Sequence, residues 1–195
     1  FDEYPNRLKP EQIVTYQAQC PDFSYSADDL MTYFADKDIQ SLLLINPDNP
    51  TGNYIPYADC LRLADWCQQR NILFVLDESF IDFSVEHPTF FKDDILEQYS
   101  NLVVIKSISK SYGVPSLRLG ILATSNVDIM TIIRRSVSIW NINSFAEFFL
   151  QILGKYEASY QQAMDEFRAE RARFVDELHK IGFLRVLPSE ANYLL

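Results

Sequence analysis

Four short apolar runs constrain this chain more than any other feature: SLLLI at 41–45, ILFVLD at 72–77, LVVI at 102–105 and LGILAT at 119–124. Each is too short for a buried helix and lacks the polar alternation of a half-solvated strand. All four are therefore expected as buried strands. Between the first two, YADCLRLADWCQQRN at 57–71 sets Cys60, Leu61, Ala64 and Cys67 on one face with polar residues opposite, the pattern of an amphipathic helix. Strand, helix, strand in that order implies a βαβ crossover and a largely parallel sheet. A further helix is expected over 26–35, where Ser26 can cap SADDLMTYFA and the acids fall in the first turn.

The texture changes after residue 143. Leu153, Tyr156, Tyr160, Ala163, Met164, Phe167, Phe174, Leu178 and Ile181 recur every three or four residues with charges between them. The spacing predicts a long amphipathic helix over 144–181, beyond the usual 8–20 residues, with Gly154 as the place to kink or divide it. After Gly182, FLRVL and then YLL read as the first strands of another element. The expected organisation is thus a large α/β domain over 1–143, a connecting helix or helices over 144–181, and the start of a smaller domain over 182–195. Because the last apolar run is cut on Leu-Leu, the chain is read as a piece of a longer protein.

Composition narrows the function classes. With 195 residues, 48% of them hydrophobic, the chain can bury a substantial core. A net charge of -10 argues against a nucleic-acid partner, which needs clustered lysine and arginine. No apolar run approaches the roughly 18 residues of a membrane span. Three cysteines, with Cys60 and Cys67 on one helix face, suggest reduced thiols and a cytoplasmic compartment. His87 and His179 lie far apart and share no ligand spacing with the cysteines, so no metal site is expected.

Three segments follow predicted strands, at the carboxyl ends where open α/β sheets bind ligands. The first is NPDNPTG at 46–52, which is either a plain turn or a rigid loop offering the Asn49 amide to a crevice. The second is VLDESFIDF at 75–83. Asp77, at the end of a buried strand, needs a partner to remain charged: a helix N-terminus, an internal arginine, or the protonated ring nitrogen of a cofactor. Glu78 and Asp82 are expected to be solvated or to support the site from behind. The third is SISKSYGVPSLRLG at 107–120. Ser107, Ser109 and Arg118 carry donors suited to a phosphate dianion. Lys110 is either a surface lysine or, with positive charge nearby and partial burial, a neutral nucleophilic amine able to form a Schiff base.

Taken in order, Asn49, Asp77, Ser107-x-Ser109-Lys110 and Arg118 resemble the fold-type I pyridoxal-phosphate (PLP) enzymes, specifically the class I/II aminotransferases. The spacing of SKSYGVPSLRLG and the closing ANYLL are similar to the branch containing histidinol-phosphate aminotransferase and threonine-phosphate decarboxylase. The resemblance runs over essentially the whole chain. It implies a three-layer α/β/α large domain with a mostly parallel sheet, PLP as cofactor, an amino donor and a 2-oxo acid as substrates, and a homodimer. By the same resemblance, Lys110 is the Schiff-base lysine that also shuttles the proton, Asp77 faces the pyridine nitrogen, and Asn49 donates to the phenolic oxygen. Ser107 and Arg118 anchor the phosphate, Ser109 adds a contact, and Phe1 stacks on the pyridine as the start of FDEY. The family's glycine-containing phosphate loop would lie upstream of Phe1 and its substrate-carboxylate arginine downstream of Leu195.

One position departs from that pattern. Aminotransferases of this kind carry a tyrosine three residues after the cofactor aspartate, whereas this chain has Phe80, which has no donor. Phenylalanine there resembles the threonine-phosphate decarboxylase variant. The expected activity is amino-group transfer. Decarboxylation of a phosphorylated amino acid, or a catalytically silent binding module on the same fold, are the alternatives.

Overall fold

A computed structural model describes residues 4–195; Phe1 lies outside the described residues. The four apolar runs form one sheet, β1 (Ser41–Ile45), β2 (Leu73–Asp77), β3 (Leu102–Ser107) and β4 (Gly120–Ala123), in that spatial order. β1, β2 and β3 are parallel, with Leu42 opposite Phe74 and Phe74 opposite Leu102. β4 runs antiparallel to β3, placing Gly120 opposite Ser107. That reversal needs no crossover helix, because only the short stretch from Ile108 to Leu119 joins the two strands. The fold is α/β with a mixed, mostly parallel sheet.

The crossover between β1 and β2 is α2 (Tyr57–Gln69), and α1 (Ala27–Phe34) packs on it. Ser26 caps α1 as expected: its hydroxyl accepts from the Asp29 N–H, and the Asp29 carboxylate accepts from the Ser26 N–H. On α2 the buried positions are Cys60, Leu63, Ala64 and Cys67, so Leu63 replaces the expected Leu61, which is half-buried. The i, i+3, i+4, i+7 spacing of the observed set is the one that lines a single helical face. These side chains meet Leu42, Leu44, Phe74, Leu76, Leu102 and Val104 from the sheet and Leu30 and Phe34 from α1 to form the main core. The opposite face of the sheet is only partly covered, since Leu43 is exposed there.

Three further helices complete the first part of the chain: α3 (Asp93–Gln98) before β3, α4 (Ile108–Ser111) directly after it, and α5 (Val127–Ser136) after β4. The amphipathic stretch beyond residue 143 is two helices, α6 (Ser144–Leu153) and α7 (Glu157–His179). A 3-10 turn over Gly154–Tyr156 separates them, so Gly154 divides the run as its sequence suggests. The strands expected from FLRVL and YLL do not form. A single backbone hydrogen bond, Leu187 N–H to Leu195 O, joins them, and one bond does not make a ladder. This segment instead folds back onto the ends of the sheet, and that return builds part of the site.

Candidate active site

The carboxyl ends of β1, β2 and β3 lead into the three chemically loaded segments, so the sheet itself gathers them. Asp77 is the last residue of β2 and is 1% exposed. Its Oδ1 accepts from the Ser79 N–H at 2.9 Å, and its Oδ2 accepts from the Tyr4 hydroxyl at 2.5 Å. Neither the helix cap nor the arginine considered for it is its partner. Both donors are neutral, so the carboxylate is hydrogen-bonded but not charge-compensated by them. The carboxylate in turn pushes the Tyr4 phenol, already raised by its burial, well above the ordinary tyrosine value.

Lys110 occupies the third position of α4 and is exposed, which corrects the expected partial burial. The helix is a single turn that begins where β3 leaves the sheet, so it buries Ile108, Ser109 and Ser111 and leaves Lys110 on the open side. The Lys110 Nζ lies 5.7 Å from the centroid of the Phe80 ring, a cation–π distance. Phe80, three residues after Asp77, is 3% exposed and so belongs to the same end of the sheet as the carboxylate and the amine. Its ring meets that of Tyr193 edge-on at 5.2 Å and 83°.

Asn49 sits half-buried in the loop that follows β1. The loop is held by Gly52 N–H to Asp48 O and Asp48 N–H to Asn53 O, both 2.8 Å. Gly52 has φ +75°, and a Cβ there would stand 2.1 Å from the Ser189 Oγ, so glycine is required by both conformation and space.

Ser107 closes β3 and donates its N–H to the Ser79 Oγ at 2.9 Å. The antiparallel pairing of β3 with β4 brings Arg118 to the Ser107–Ser109 turn, through Ile108 N–H to Leu119 O at 3.2 Å. Arg118 is exposed, and its guanidinium donates to Pro115 O at 3.3 Å. Its backbone is left-handed, φ 56° and ψ 42°, a conformation that costs an ordinary residue roughly 1–2 kcal/mol. Such strain persists where the surrounding structure holds it in place. Ser109 is 6% exposed.

Of the two alternatives expected for Glu78 and Asp82, solvation or support from behind the site, solvation does not hold. Glu78 is 2% exposed, its Oε2 accepting from the Thr89 hydroxyl at 2.5 Å and its Oε1 from the Phe90 N–H at 2.8 Å. Burial pushes its carboxyl up to about 7, against the opposing pull of those two bonds. Asp82 accepts from Lys106 Nζ at 2.6 Å and from the Ser111 hydroxyl at 2.5 Å, so it supports the segment next to Lys110.

Tyr4, Ser79, Lys106 and Tyr193 were not singled out by sequence. Tyr4 and Tyr193 stand in FDEY and ANYLL, which carried the resemblance without a role for either phenol. Lys106, a charge at the end of an apolar strand, was the one available local signal. Among the described residues there is no group of three metal-ligating side chains and no helix long and apolar enough to cross a membrane.

Comparison with known proteins places this geometry in a family. The family model described as aminotransferase class I and II matches residues 1–195. The chain is 33% identical over 194 residues to CMP-5'-(3-aminopropyl)phosphonate synthase of Streptomyces rubellomurinus, covering 100% of this chain and 31% of that protein. It is 37% identical over 159 residues to threonine-phosphate decarboxylase of Salmonella typhimurium, covering 81% of this chain and 43% of that protein. Among solved structures, the histidinol-phosphate aminotransferase from Clostridium acetobutylicum superposes with a TM-score of 0.78 at 28% identity, over 91% of this chain and 53% of that one. The chain therefore spans between 31% and 53% of the lengths of these proteins. With its sheet, its strand-end segments and a family match over its whole length, the chain belongs to the class I and II aminotransferase family, whose members depend on pyridoxal phosphate.

Proposed function

We propose that the intact protein is a PLP-dependent aminotransferase of the histidinol-phosphate aminotransferase kind, moving an amino group between an amino acid or phosphorylated amine and a 2-oxo acid. The observation that carries this reading is the Lys110 Nζ lying 5.7 Å from the Phe80 ring, three residues along from the buried Asp77. An amine and a carboxylate thereby serve one end of the sheet.

The donor set fits the cofactor. Asp77 is a buried carboxylate with two neutral donors, suited to a protonated ring nitrogen as its charge partner. The hydroxyls of Ser107 and Ser109 and the Arg118 guanidinium suit a phosphate dianion. When bound, PLP supplies an electron sink for the bonding pair left at the substrate's amino carbon. In this reading Asp77 holds a proton at the ring nitrogen and Asn49 donates to the phenolic oxygen. Lys110 attaches the cofactor through Nζ and carries a proton to and from the amino carbon. Phe80 packs beside them without donating. The reading extends to a large domain over 1–143 and the start of a small one at 182, and to a cytoplasmic homodimer.

A second reading is favoured by one residue. Phe80 stands where a phenol is expected for amino transfer, and the Salmonella relative at 37% identity is named a threonine-phosphate decarboxylase. The two readings share every residue named here and part at which bond of the substrate breaks.

The test uses the full-length protein loaded with PLP, reduced with borohydride and digested. Label is expected on Lys110, and Lys110→Ala should lose it while keeping some non-covalent cofactor. Label on another lysine would overturn the assignment. Carbon dioxide release from threonine phosphate without an acceptor selects the decarboxylase; transfer that requires a 2-oxo acid selects the aminotransferase.

A further inference from the structure

The return of residues 189–193 onto the loop after β1 has a consequence for Asn49. Tyr193 donates its hydroxyl to Asp48 O at 2.6 Å, and that carbonyl belongs to the peptide leading into Asn49. The same carbonyl also accepts the Gly52 N–H at 2.8 Å, so the peptide is held from both sides. At the far end of the loop, Glu190 N–H donates to Gly52 O at 2.9 Å, and Ser189 fills the space a Cβ at Gly52 would need. The clasp is itself anchored: Arg171 of α7 donates to Ala191 O at 2.7 Å and pairs with the Glu190 carboxylate at 3.2 Å. The Tyr193 ring rests edge-on against Phe80, the residue that lacks the expected phenol.

We propose that Tyr193 is a positioning residue, whose hydroxyl fixes the Asp48–Asn49 peptide and thereby aims the Asn49 amide into the site that Phe80 leaves short of a donor. The inference rests on the reading of Asn49 and Lys110 as PLP residues. It assigns the phenol to the returning segment after α7, not to the segment after β2 on which it was sought. Burial first, then the Asp48 carboxylate, raise the Tyr193 phenol well above its ordinary value, while the Asn49 amide acts on the same hydroxyl in the opposite direction. The phenol therefore stays protonated and remains a donor through the range in which enzymes of this kind work.

The experiment compares Tyr193→Phe, Asn49→Ala and the double variant in the full-length protein, with Lys110→Ala as control. Tyr193→Phe keeps the ring on Phe80 and removes one hydroxyl, so its thermal midpoint should stay close to that of the parent. PLP retention should weaken roughly threefold to tenfold, the range of one lost neutral hydrogen bond. The pH midpoint of the bound cofactor's absorption should rise, as it should in Asn49→Ala. Because Tyr193 acts through Asn49, the double variant should match Asn49→Ala in both readouts. An unchanged pH midpoint in Tyr193→Phe, or effects that add in the double variant, would overturn the proposal while leaving covalent capture by Lys110 intact. Loss of the label from Lys110 in the parent protein would instead overturn the reading beneath it.

Discussion

Asp82 and Lys106 form an ion pair of 2.6 Å in which the two side chains are only 15% and 13% exposed. The other carboxylate oxygen of Asp82 takes the Ser111 hydroxyl, one residue beyond Lys110, and the Asp82 carbonyl takes the Arg168 guanidinium from α7 at 2.7 Å. One residue thus ties together β3, the segment after Asp77, the turn that carries Lys110 and the long helix. A buried pair is costly to break from one side, because the surviving charge is left without compensation.

Asp82→Ala should therefore lower stability by about 3 kcal/mol, read from urea unfolding of the full-length protein. Replacing both partners together, Asp82→Leu with Lys106→Met, should recover part of that loss, since no charge is then stranded. A urea midpoint that does not move in Asp82→Ala would mean that the pair contributes nothing to the fold.

Asp77→Asn keeps the shape of the side chain and removes its charge. If the carboxylate holds a proton on the cofactor's ring nitrogen, turnover should fall far more than PLP affinity, because the electron sink acts mainly in the transition state. Steady-state rates and a PLP titration on the same preparation separate the two effects. Near-normal turnover would remove Asp77 from its proposed role.

Phe80→Tyr adds one hydroxyl at a position packed between the Lys110 amine and the Tyr193 ring. A donor reaching the cofactor's phenolic oxygen would stabilise its deprotonated form and lower the pH midpoint of the bound cofactor's absorption. A hydrogen bond to a charged group is worth about 1.5–3 kcal/mol, which corresponds to a shift on the order of one unit or more. A spectrophotometric titration of parent and variant measures it; an unchanged or raised midpoint would show that residue 80 does not serve that oxygen.

Glu78 predicts a dependence of stability on pH. Its carboxyl is raised by burial from 4.5 to about 7 in the folded chain, so between those values the folded state binds the proton that the unfolded state has released. Stability contributed by this group is full below about 4.5 and is lost as pH rises through about 7. The loss is on the order of 3 kcal/mol. Glu78→Gln does not titrate, so its stability relative to the parent should improve between pH 5 and pH 8. Parallel unfolding curves at the two pH values check this, and a constant difference would contradict it.

The strands were legible because each apolar run is short and bounded, and period and length are local properties; the burial expected of all four fails at β4, which is exposed to half-buried. All four fall within two residues of their predicted bounds. Ser26 and Gly154 were legible for the same reason: capping and helix breaking are decided by neighbours along the chain. That the segments holding Asn49, Asp77 and Lys110 share one end of the sheet was also legible, since parallel strands deliver their carboxyl ends to one edge. The antiparallel turn of β4 and the missing strands after Gly182 were not, because pairing direction depends on partners distant in sequence.

What the sequence by itself determined is the α/β class and the family, both carried by local pattern and residue type. Tertiary structure alone decided the surroundings of the side chains: Glu78 buried, Asp82 partly buried against Lys106, Lys110 exposed, and Tyr193 brought 145 residues back to the Asp48 carbonyl. Burial and long-range hydrogen bonding belong to the packed chain, where water is excluded and the cost of an unpaired polar group selects its partner. No window of sequence contains that information.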